Sequence, residues 1–569
     1  MLAMPRPTFI RHTLIIMLLA LTLLSCTSAN YKRRADEASY GAIAGKAELI
    51  PGFIGDVIID AEKSVDLTSF DVNHEEFEFL DGEAGSELNA SVIGLNDALE
   101  LAFLHSKSYQ TQKEGLYLEA LALTYDRYRY TPTFSFSGSG DYLWDTQDKF
   151  VSDMQELTSM ERVSTSESID AGTNLGASWL LKGGGAIALN LTNNFTRFLT
   201  GDVSEINTSA LIGSFTQPLL RGFGSDIEAE TLMQAERDLL YQLRDFTRYR
   251  KVLAVQIASQ YYSVLLNRET ARNNYSGLLA VNLSLERERA FQAEGLRTGL
   301  QVGRLEQSAL QQDLRWTSSI TRYKRNLDNF KILIGLSADD NVLLDDREME
   351  LITQVGMASP DLLLDQALTL ALQTRLDLYT ELDQVEDSAR KIEVAVNALN
   401  PTLNFTMKAT VPDAGNGLFG ELEFENAVFS AGLDLDLPLD SKSESDTYRR
   451  ALITYDSSTR SYLSAVDDVK LDVVDAWRRM DEASKSYEIN VTSVEINQRR
   501  VEEAELRAEL GLGDIQDTVD SQNDLTSART ELVSSIVDHN IAKLEFWRDI
   551  GLLYVDDTGQ WEEGINEPR

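Results

Sequence analysis

The sequence predicts a mostly α-helical protein with a β-stranded membrane part, built from two tandem copies of one plan. Three observations carry this. First, the chain repeats itself. Ala98-Leu99-Glu100-Leu101-Ala102 answers Ala367-Leu368-Thr369-Leu370-Ala371, and Pro132-Thr133-Phe134-Ser135-Phe136 answers Pro401-Thr402-Leu403-Asn404-Phe405, both at an offset of 269 residues. A spacing kept this well marks a repeated architecture. Second, two proline-free stretches, about 226–295 and 452–494, place apolar residues at steps of three and four over many turns, the pattern of long helices packed as in coiled coils. Third, residues 402–411 and 429–437 alternate apolar and polar side chains, as a strand between oil and water does.

The first 25 residues read as an export signal. Arg6 and Arg11 precede an uncharged apolar run from Leu14 to Leu24. A membrane-spanning helix needs about 20 apolar residues, so the run is too short to cross but suits the core of a signal peptide. The only cysteine of the chain, Cys26, stands directly after it, behind Ser25. This arrangement resembles a bacterial lipoprotein signal, which implies that Cys26 becomes the lipidated first residue. Thr27 in second place fits transfer to an outer membrane. Removing residues 1–25 takes away two arginines and no acid and leaves a net charge of −41. No other run is long and apolar enough for a transmembrane helix, so further membrane passage has to use β-strands.

Residues 26–90 read as an irregular, acidic arm, with Pro51-Gly52 as punctuation and Glu75-Glu76-Phe77-Glu78 lacking a period. The first repeat then occupies 91–340, the second 358–553, and a tail 554–569. Each repeat reads as helix, extended segment, extended segment, very long helix, turn, helix. In the first long helix Leu232, Ala235, Leu239, Leu243, Phe246, Leu253, Ile257, Tyr261 and Val264 form the apolar seam; in the second, Leu452, Tyr462, Val466, Val469, Val473, Ala476, Met480 and Ala483 continue it. Nearly seventy helical residues make a rod on the order of 100 Å, far beyond the helices of a compact domain, so such rods must pack side by side.

The extended segments are the more informative. Leu403, Phe405, Met407, Ala409 and Val411 alternate with Thr402, Asn404, Thr406, Lys408 and Thr410, and Phe429, Ala431, Leu433, Leu435 and Leu437 with Ser430, Gly432, Asp434 and Asp436. Both fit the roughly 9 to 11 residues that a tilted strand needs to cross a bilayer. In the first repeat about 60 residues lie between the segment bearing Phe134, Phe136 and Tyr142 and the extended run before Pro218. Within them Leu175, Ala177, Trp179 and Leu181, then Ile187, Leu189 and Leu191, flank Lys182-Gly183-Gly184-Gly185, which reads as one more hairpin. It either joins the wall or stands outside as a cap.

Composition excludes other classes. With 52 Lys plus Arg against 91 Asp plus Glu, the net charge is −39, the wrong sign for gripping nucleic-acid phosphates. One cysteine and four scattered histidines (His12, His74, His105, His539) form no metal-ligand spacing, and neither metal nor cofactor is expected. No Ser/His/Asp order, phosphate-cradling glycine loop or convergent carboxylate pair is present, so an enzyme is not expected.

Taken together, the two Ala-Leu-x-Leu-Ala helix starts, the two Pro-Thr strand starts, Gln217-Pro218-Leu219-Leu220-Arg221-Gly222 at the foot of the returning strand, and the two glycine-containing turns at 296–305 and 506–515 resemble the outer membrane efflux protein family, the TolC-like channels, over about residues 90–553. The resemblance implies a homotrimer in which each copy lends β-hairpins to one transmembrane β-barrel and antiparallel helices to one periplasmic α-barrel. It also implies a conduit fed by an inner-membrane pump through a periplasmic adaptor, in a tripartite efflux or type I secretion system, and embedded in outer-membrane lipid. The helix-tip turns that would meet the adaptor hold Gly299, Gly303, Gly511 and Gly513. In the family an Asp-x-x-Asp pair after the last turn narrows the pore, and Asp517 and Asp520 fit that place. Their i,i+3 spacing puts both carboxylates on one helix face. Arg304, after the equivalent turn of the first repeat, is placed to pair with Asp514 or Asp517 of a neighbouring helix. The tyrosine that some relatives carry before this turn is replaced by Ala508. The competing reading is a lipid-anchored periplasmic coiled-coil scaffold without channel activity, for which the alternating strands would have no use.

Overall fold

The computed structural model describes residues 28–53, 57–60, 67–151, 160–200, 205–355, 357, 360, 362–413, 422–510 and 515–563. In chain order the elements are α1 (Ser28–Ala47), β1 (Ser91–Ile93), α2 (Leu95–His105), α3 (Lys107–Arg129), β2 (Thr133–Val151), β3 (Met160–Leu180), β4 (Ala186–Phe198), β5 (Glu205–Pro218), α4 (Ser225–Glu228), α5 (Glu230–Ala293) and α6 (Gly299–Leu333). They continue with β6 (Val342–Leu344), α7 (Arg347–Val355), α8 (Leu364–Thr374), α9 (Leu376–Asn397), β7 (Thr402–Pro412), β8 (Val428–Asp436), α10 (Lys442–Glu509), α11 (Ile515–Asp549), β9 (Leu553–Val555) and β10 (Trp561–Glu563). The fold is mostly helical, with the helix, strand, long helix, helix order of the sequence reading in both repeats. The long helices α5 and α10 run for 64 and 68 residues. One expectation is corrected: part of the arm is regular, since Ser28–Ala47 forms a 20-residue helix. Its apolar residues are mostly small (Ala29, Ala35, Ala38, Ala42, Ala44, Ala47), so it shows almost no hydrophobic periodicity, although alanine is the best helix former.

The chain divides into two compact units. The first comprises Met1–Ala42, Glu119–Leu239 and Asp383–Arg460, and the second Ile43–Leu118, Leu240–Leu382 and Ser461–Arg569. The first holds one six-stranded antiparallel sheet in the order β2-β3-β4-β5-β7-β8. The hairpin in the first repeat therefore joins the sheet, and β5 pairs with β7 to link the repeats. Below the sheet, Arg237 reaches Glu386 at 2.8 Å and bonds Asp387, while Arg390 meets Glu230 at 3.1 Å and Asp387 at 2.9 Å. These pairs fasten α5 to α9 across an otherwise acidic surface.

In the second unit the two repeats use the same joint. α2 ends at His105 and α8 at Thr374, 269 residues later; the next residue, Ser106 or Arg375, is extended, and a new helix starts at once. Against each break sits an Ile-Gly-Leu turn that ends the last helix of the repeat, Ile334-Gly335-Leu336 and Ile550-Gly551-Leu552. Gly335 and Gly551 have φ of +91° and +83°. A Cβ on Gly335 would lie 2.3 Å from the His105 carbonyl oxygen, and one on Gly551 would lie 2.7 Å from Thr374 Oγ1. Only glycine combines that backbone with that approach.

The arm is tied into this unit by buried polar groups. Glu87 and Arg268 are both buried and pair at 3.1 Å. The Tyr323 hydroxyl donates to Glu87 at 2.7 Å, the Trp316 ring N–H donates to the Phe79 carbonyl at 2.8 Å, and the Arg268 guanidinium lies 4.4 Å from the Phe77 ring centre. Burial, then the Glu87 charge, pushes the Tyr323 phenol well above its ordinary pKa, which keeps it a donor. Breaking a buried ion pair of this kind costs about 3–5 kcal/mol, because the remaining charge stays buried.

Gly335→Ala and Gly551→Ala should each lower stability by about 1–3 kcal/mol. Gly303→Ala, on an exposed helical position with open space around it, should be neutral or stabilising by up to about 1 kcal/mol; thermal unfolding that ranks the three alike would refute the joint. His539 is fully buried on α11 and neither ring nitrogen has a hydrogen-bond partner. Burial, then the Lys543 charge, holds its pKa below the ordinary value. The native state thus resists a proton that the unfolded chain accepts, so this contribution to stability is complete above about pH 6.5 and is lost as the pH falls below it. The melting temperature of the native chain should drop more between about pH 7.5 and pH 5.5 than that of His539→Leu, and equal drops would exclude His539 as the cause.

Candidate functional site

The six-stranded sheet has two chemically different faces. Directly opposed residues of an antiparallel pair share a face, so the registers trace each face from strand to strand. One face carries Phe134 and Phe136 on β2, Leu175 and Ala177 on β3, Leu189 and Leu191 on β4, Leu211 and Gly213 on β5, Ala409 and Val411 on β7 and Phe429 on β8. Further along the same face stand Trp179, Ile187, Phe215, Met407, Ala431, Phe405 and Leu433. Much of this band is bare: Phe134 is 78% exposed and Phe429 77%. The other face carries Thr133, Ser135, Ser137, Ser139 and Asp141 on β2, with Asn174, Asp170, Asn190, Thr192, Asn194, Ser214, Thr216, Thr406, Lys408, Asp434 and Asp436 on the strands beyond. Ala188 and Ile212 interrupt this face, and Thr173, Asn193 and Ser209 continue the other face above its apolar band; a division of this kind suits a wall with hydrocarbon on one side and water on the other.

The apolar band is staggered across the register. Its lower edge falls at Leu403 opposite Leu435 between β7 and β8, and at Phe215 opposite Met407 between β5 and β7. Its upper edge on β2 reaches Tyr142 and Trp144, opposite Ile169 and Glu167. A level band across tilted strands must shift along the register in this way, and tilt is what closing a sheet into a barrel requires. Strands β2 and β3 continue beyond the last β3·β4 pair, Ser168 with Phe198, up to Val151 opposite Met160.

The foot of the sheet is fastened by the residues that the sequence singled out. The Lys182-Gly183-Gly184-Gly185 turn nests against the loop after β5: a Cβ on Gly184 would lie 2.5 Å from the Gly222 carbonyl oxygen, and Gln217 Nε2 donates to the Gly183 carbonyl at 3.1 Å. The Leu219 N–H donates to the Leu403 carbonyl at 2.7 Å, the Gly222 N–H donates to Asn397 Oδ1 at 2.8 Å, and Arg221 lies 3.5 Å from Glu444. The Gln-Pro-Leu-Leu-Arg-Gly segment thus ties the first repeat's hairpin to the second repeat's strand and helix.

The expected tip residues lie in the second unit. Two residues past the end of α5 the chain turns at Gly295, with φ +76°, and α6 begins after Thr298, whose hydroxyl accepts from the Gln301 N–H while Gln301 Oε1 accepts from the Thr298 N–H. This capping box satisfies donors that the helix start would leave free. Arg297 Nε donates to the buried Glu288 at 2.8 Å, so the turn is pinned from below while Leu296, Gly299, Leu300, Gly303 and Arg304 are exposed. Val519 of α11 packs into a cluster with Val281, Leu285, Val302, Leu305 and Ala309. Burial of Thr518 and Val519 turns Asp517 and Asp520 outward. Asp520 accepts from Gln516 Nε2 at 2.8 Å. No ion pair joins Arg304 to Asp517 or Asp520 within one chain. Gly511, Gly513, Asp514 and Cys26 lie outside the described residues.

Sequence reasoning missed the Ile-Gly-Leu joints, although the triplet recurs in the sequence at an offset of 216 residues. It also missed a cavity of about 570 Å³ beside Arg375. Its charges are matched: Arg375 bonds Asp377 at 2.6 Å and Asp472 at 2.8 Å, Arg248 bonds Asp377 at 2.6 Å, and Lys251 Nζ donates to the Gly551 carbonyl at 2.8 Å. The cluster braces the break between α8 and α9.

A sheet apolar on one face and polar on the other, joined to helices of 64 and 68 residues, defines a TolC-like fold of the kind seen in outer-membrane channels. Residues 367–535 match the outer membrane efflux protein family; the second repeat carries that family's domain, and the chain as a whole has the TolC-like fold. No curated protein sequence matches the chain. Among solved structures it is similar to the CmeC outer membrane channel of Campylobacter jejuni (TM-score 0.58, 13% identity, covering 90% of this chain and 95% of that one). It is also similar to the outer membrane protein VceC of Vibrio cholerae (TM-score 0.56, 14% identity, 80% and 96% coverage). A third similar structure is the open state of the MtrE outer membrane channel of Neisseria gonorrhoeae (TM-score 0.54, 14% identity, 88% and 96% coverage). At these identities the likeness is one of fold.

The two faces make a direct prediction. With the apolar face in lipid, Leu433→Lys on that face of β8 should destabilise the protein by about 2–4 kcal/mol, whereas Ser430→Lys, three residues away on the polar face, should cost little. Heat resistance of the assembled form on unboiled gels measures both, and equal losses would refute the face assignment.

Proposed function

We propose that the chain is the outer-membrane channel of a tripartite efflux or type I secretion assembly, a passive conduit that takes cargo from a periplasmic adaptor and inner-membrane pump and releases it outside. The observation that carries this is the six-stranded sheet whose apolar face is exposed and whose opposite face is polar. A lipid-anchored scaffold would leave that apolar face in water. Among the described residues the two outer strands, β2 and β8, pair on one side only, and an open edge is not tolerated in lipid. Assembly with further copies is required, and the family resemblance supports a homotrimer. The helices, with buried seams and acidic exposed faces, suit the wall of a water-filled periplasmic tube, and Cys26 supplies the lipid anchor.

Within this reading the turn bearing Gly299 and Gly303, with its counterpart at Gly511 and Gly513, meets the adaptor. Asp517 and Asp520, with Asp514 and Arg304, form the periplasmic gate. Support comes from Val519, which anchors α11 and leaves both carboxylates exposed, with no ion-pair partner among the described residues. Repeated around an axis they make acidic rings, which draw cations and resist anions. Purified protein should run as a heat-sensitive trimer and carry small, cation-selective currents in planar bilayers. The Asp517→Ala/Asp520→Ala variant should conduct several-fold more and lose block by divalent cations. A detergent-free soluble monomer would overturn the channel reading, and unchanged conductance with unchanged block would overturn the gate.

A further inference from the structure

We infer that the inserted hairpin is part of the barrel wall, so that three copies close an eighteen-stranded barrel in which β8 of one copy pairs with β2 of the next. This rests on the trimeric channel proposed above and goes further by fixing the strand count and the width of the pore. The duplicated plan of helix, strand, strand, helix supplies four strands per chain. Met160–Leu180 and Ala186–Phe198 add two more, and they sit between β2 and β5, hydrogen-bonded on both sides, in register over 13 pairs with each other and 12 pairs between β4 and β5. Removing them from the wall would break both ladders and leave β2 bonded to nothing but β3.

The two free edges fit each other. Six is an even number and every pairing is antiparallel, so β8 and the β2 of a neighbour also run antiparallel. Every residue of β8, and of β2 from Phe134 to Trp144, is exposed on both faces, as strands lacking a neighbour on one side are. Their apolar rows lie on the same face of the sheet: Phe429, Ala431, Leu433 and Leu435 on one edge, and Phe134, Phe136, Tyr142 and Trp144 on the other, with Gly138 and Gly140 leaving room between the aromatics. On the polar face β8 brings Asp434 and Asp436, and the lower part of β2 brings Thr133, Ser135, Ser137 and Ser139. Carboxylates thus meet hydroxyl donors, without like charges across that part of the seam. The upward step of the apolar band from β8 to β2 gives the strand tilt that closure needs.

Width follows from the count. Strands about 4.8 Å apart and tilted about 40° give eighteen strands a backbone radius of roughly 18 Å. Barrels of 16 to 18 strands leave an open aqueous channel. Lined here by hydroxyls, amides and carboxylates, such a pore passes hydrated polar solutes and extended polymers more readily than apolar ones.

The test is single-particle imaging of the full-length detergent-purified protein, with strands counted in cross-section. Three copies closing eighteen strands, with β8 beside the neighbour's β2, is the expected result. A closed trimer with fewer strands and the 160–198 hairpin outside the wall would overturn this inference while leaving the channel reading intact. Protein that does not assemble into a closed ring would overturn both. As a second measurement, Ser137→Cys combined with Ser430→Cys, Gly432→Cys or Asp434→Cys should yield an interchain disulfide for at least one pairing, with ladders of dimer and trimer. Only monomer at all three pairings would place the seam elsewhere and refute it.

Discussion

The constraint on which the rest depends is that a backbone N–H or C=O in hydrocarbon has no water to turn to. A helix satisfies these groups within itself, but among the described residues no helix is long and apolar enough to cross a membrane. The apolar surface of this chain lies instead on strands, which satisfy their backbone only through neighbours. On the channel reading, that requirement accounts for the pairing of β5 of the first repeat with β7 of the second: a four-stranded sheet and a separate hairpin would have four open edges, while one joined sheet has two. It also accounts for the foot of the sheet, where the Gln217 and Asn397 side-chain amides bond the Gly183 carbonyl and the Gly222 N–H, and the Leu219 N–H bonds the Leu403 carbonyl. Each bond there satisfies a group at the point where the strand ladder ends.

The helical unit solves another problem, how to end long rods without fraying. Both repeats dock a positive-φ glycine onto a one-residue break between two short helices. Duplication kept the joint while the side chains around it diverged. Beside the first joint Tyr109 stacks between Phe103 and Phe246, with ring centres 4.8 and 5.6 Å apart; beside the second the space is filled by Arg375, Asp377 and Asp472. An apolar and an ionic filling thus serve one backbone geometry, which shows that the glycine contact, and not a particular side-chain set, defines the joint.

What could be read from the sequence was whatever had a period or a copy. The strands at 402–412 and 428–436 announced themselves because water on one face and oil on the other force alternation residue by residue. The long helices announced themselves through their apolar seams, and the repeat through its fixed offset. α1 was missed because six alanines among its 20 residues make helix without making a pattern. The position of the 171–198 hairpin stayed open because alternation says which face a residue takes, not which strand lies beside it; only the ladder of Ala186 to Thr216 and its neighbours settles that. Among the candidate tip residues, sequence placed Asp517 and Asp520 on one helix face. It could not show that Val519, between them, is the residue that holds that face outward.

The ends of the two long helices also differ in how their equivalent arginines are held. Arg297 and Arg507 are equivalent, 210 residues apart. Arg297 is paired with Glu288, whose side chain is almost wholly buried, and the turn that follows is closed by the Thr298–Gln301 capping box. Arg507 instead pairs with Glu503 one helical turn back, at 2.9 Å, with both side chains in solvent. An exposed i,i+4 pair contributes only about 0.3–0.5 kcal/mol and is screened by salt, whereas breaking a buried pair costs several kcal/mol. The end of α5 is therefore locked by a buried ion pair, whereas Arg507 adds only an exposed pair to the end of α10, whose buried contacts are the small side chains of Val501, Ala504 and Ala508. If one of the two helix pairs yields when a partner pulls on the tips, the balance of these energies selects α10 and α11, the pair that carries Asp517 and Asp520.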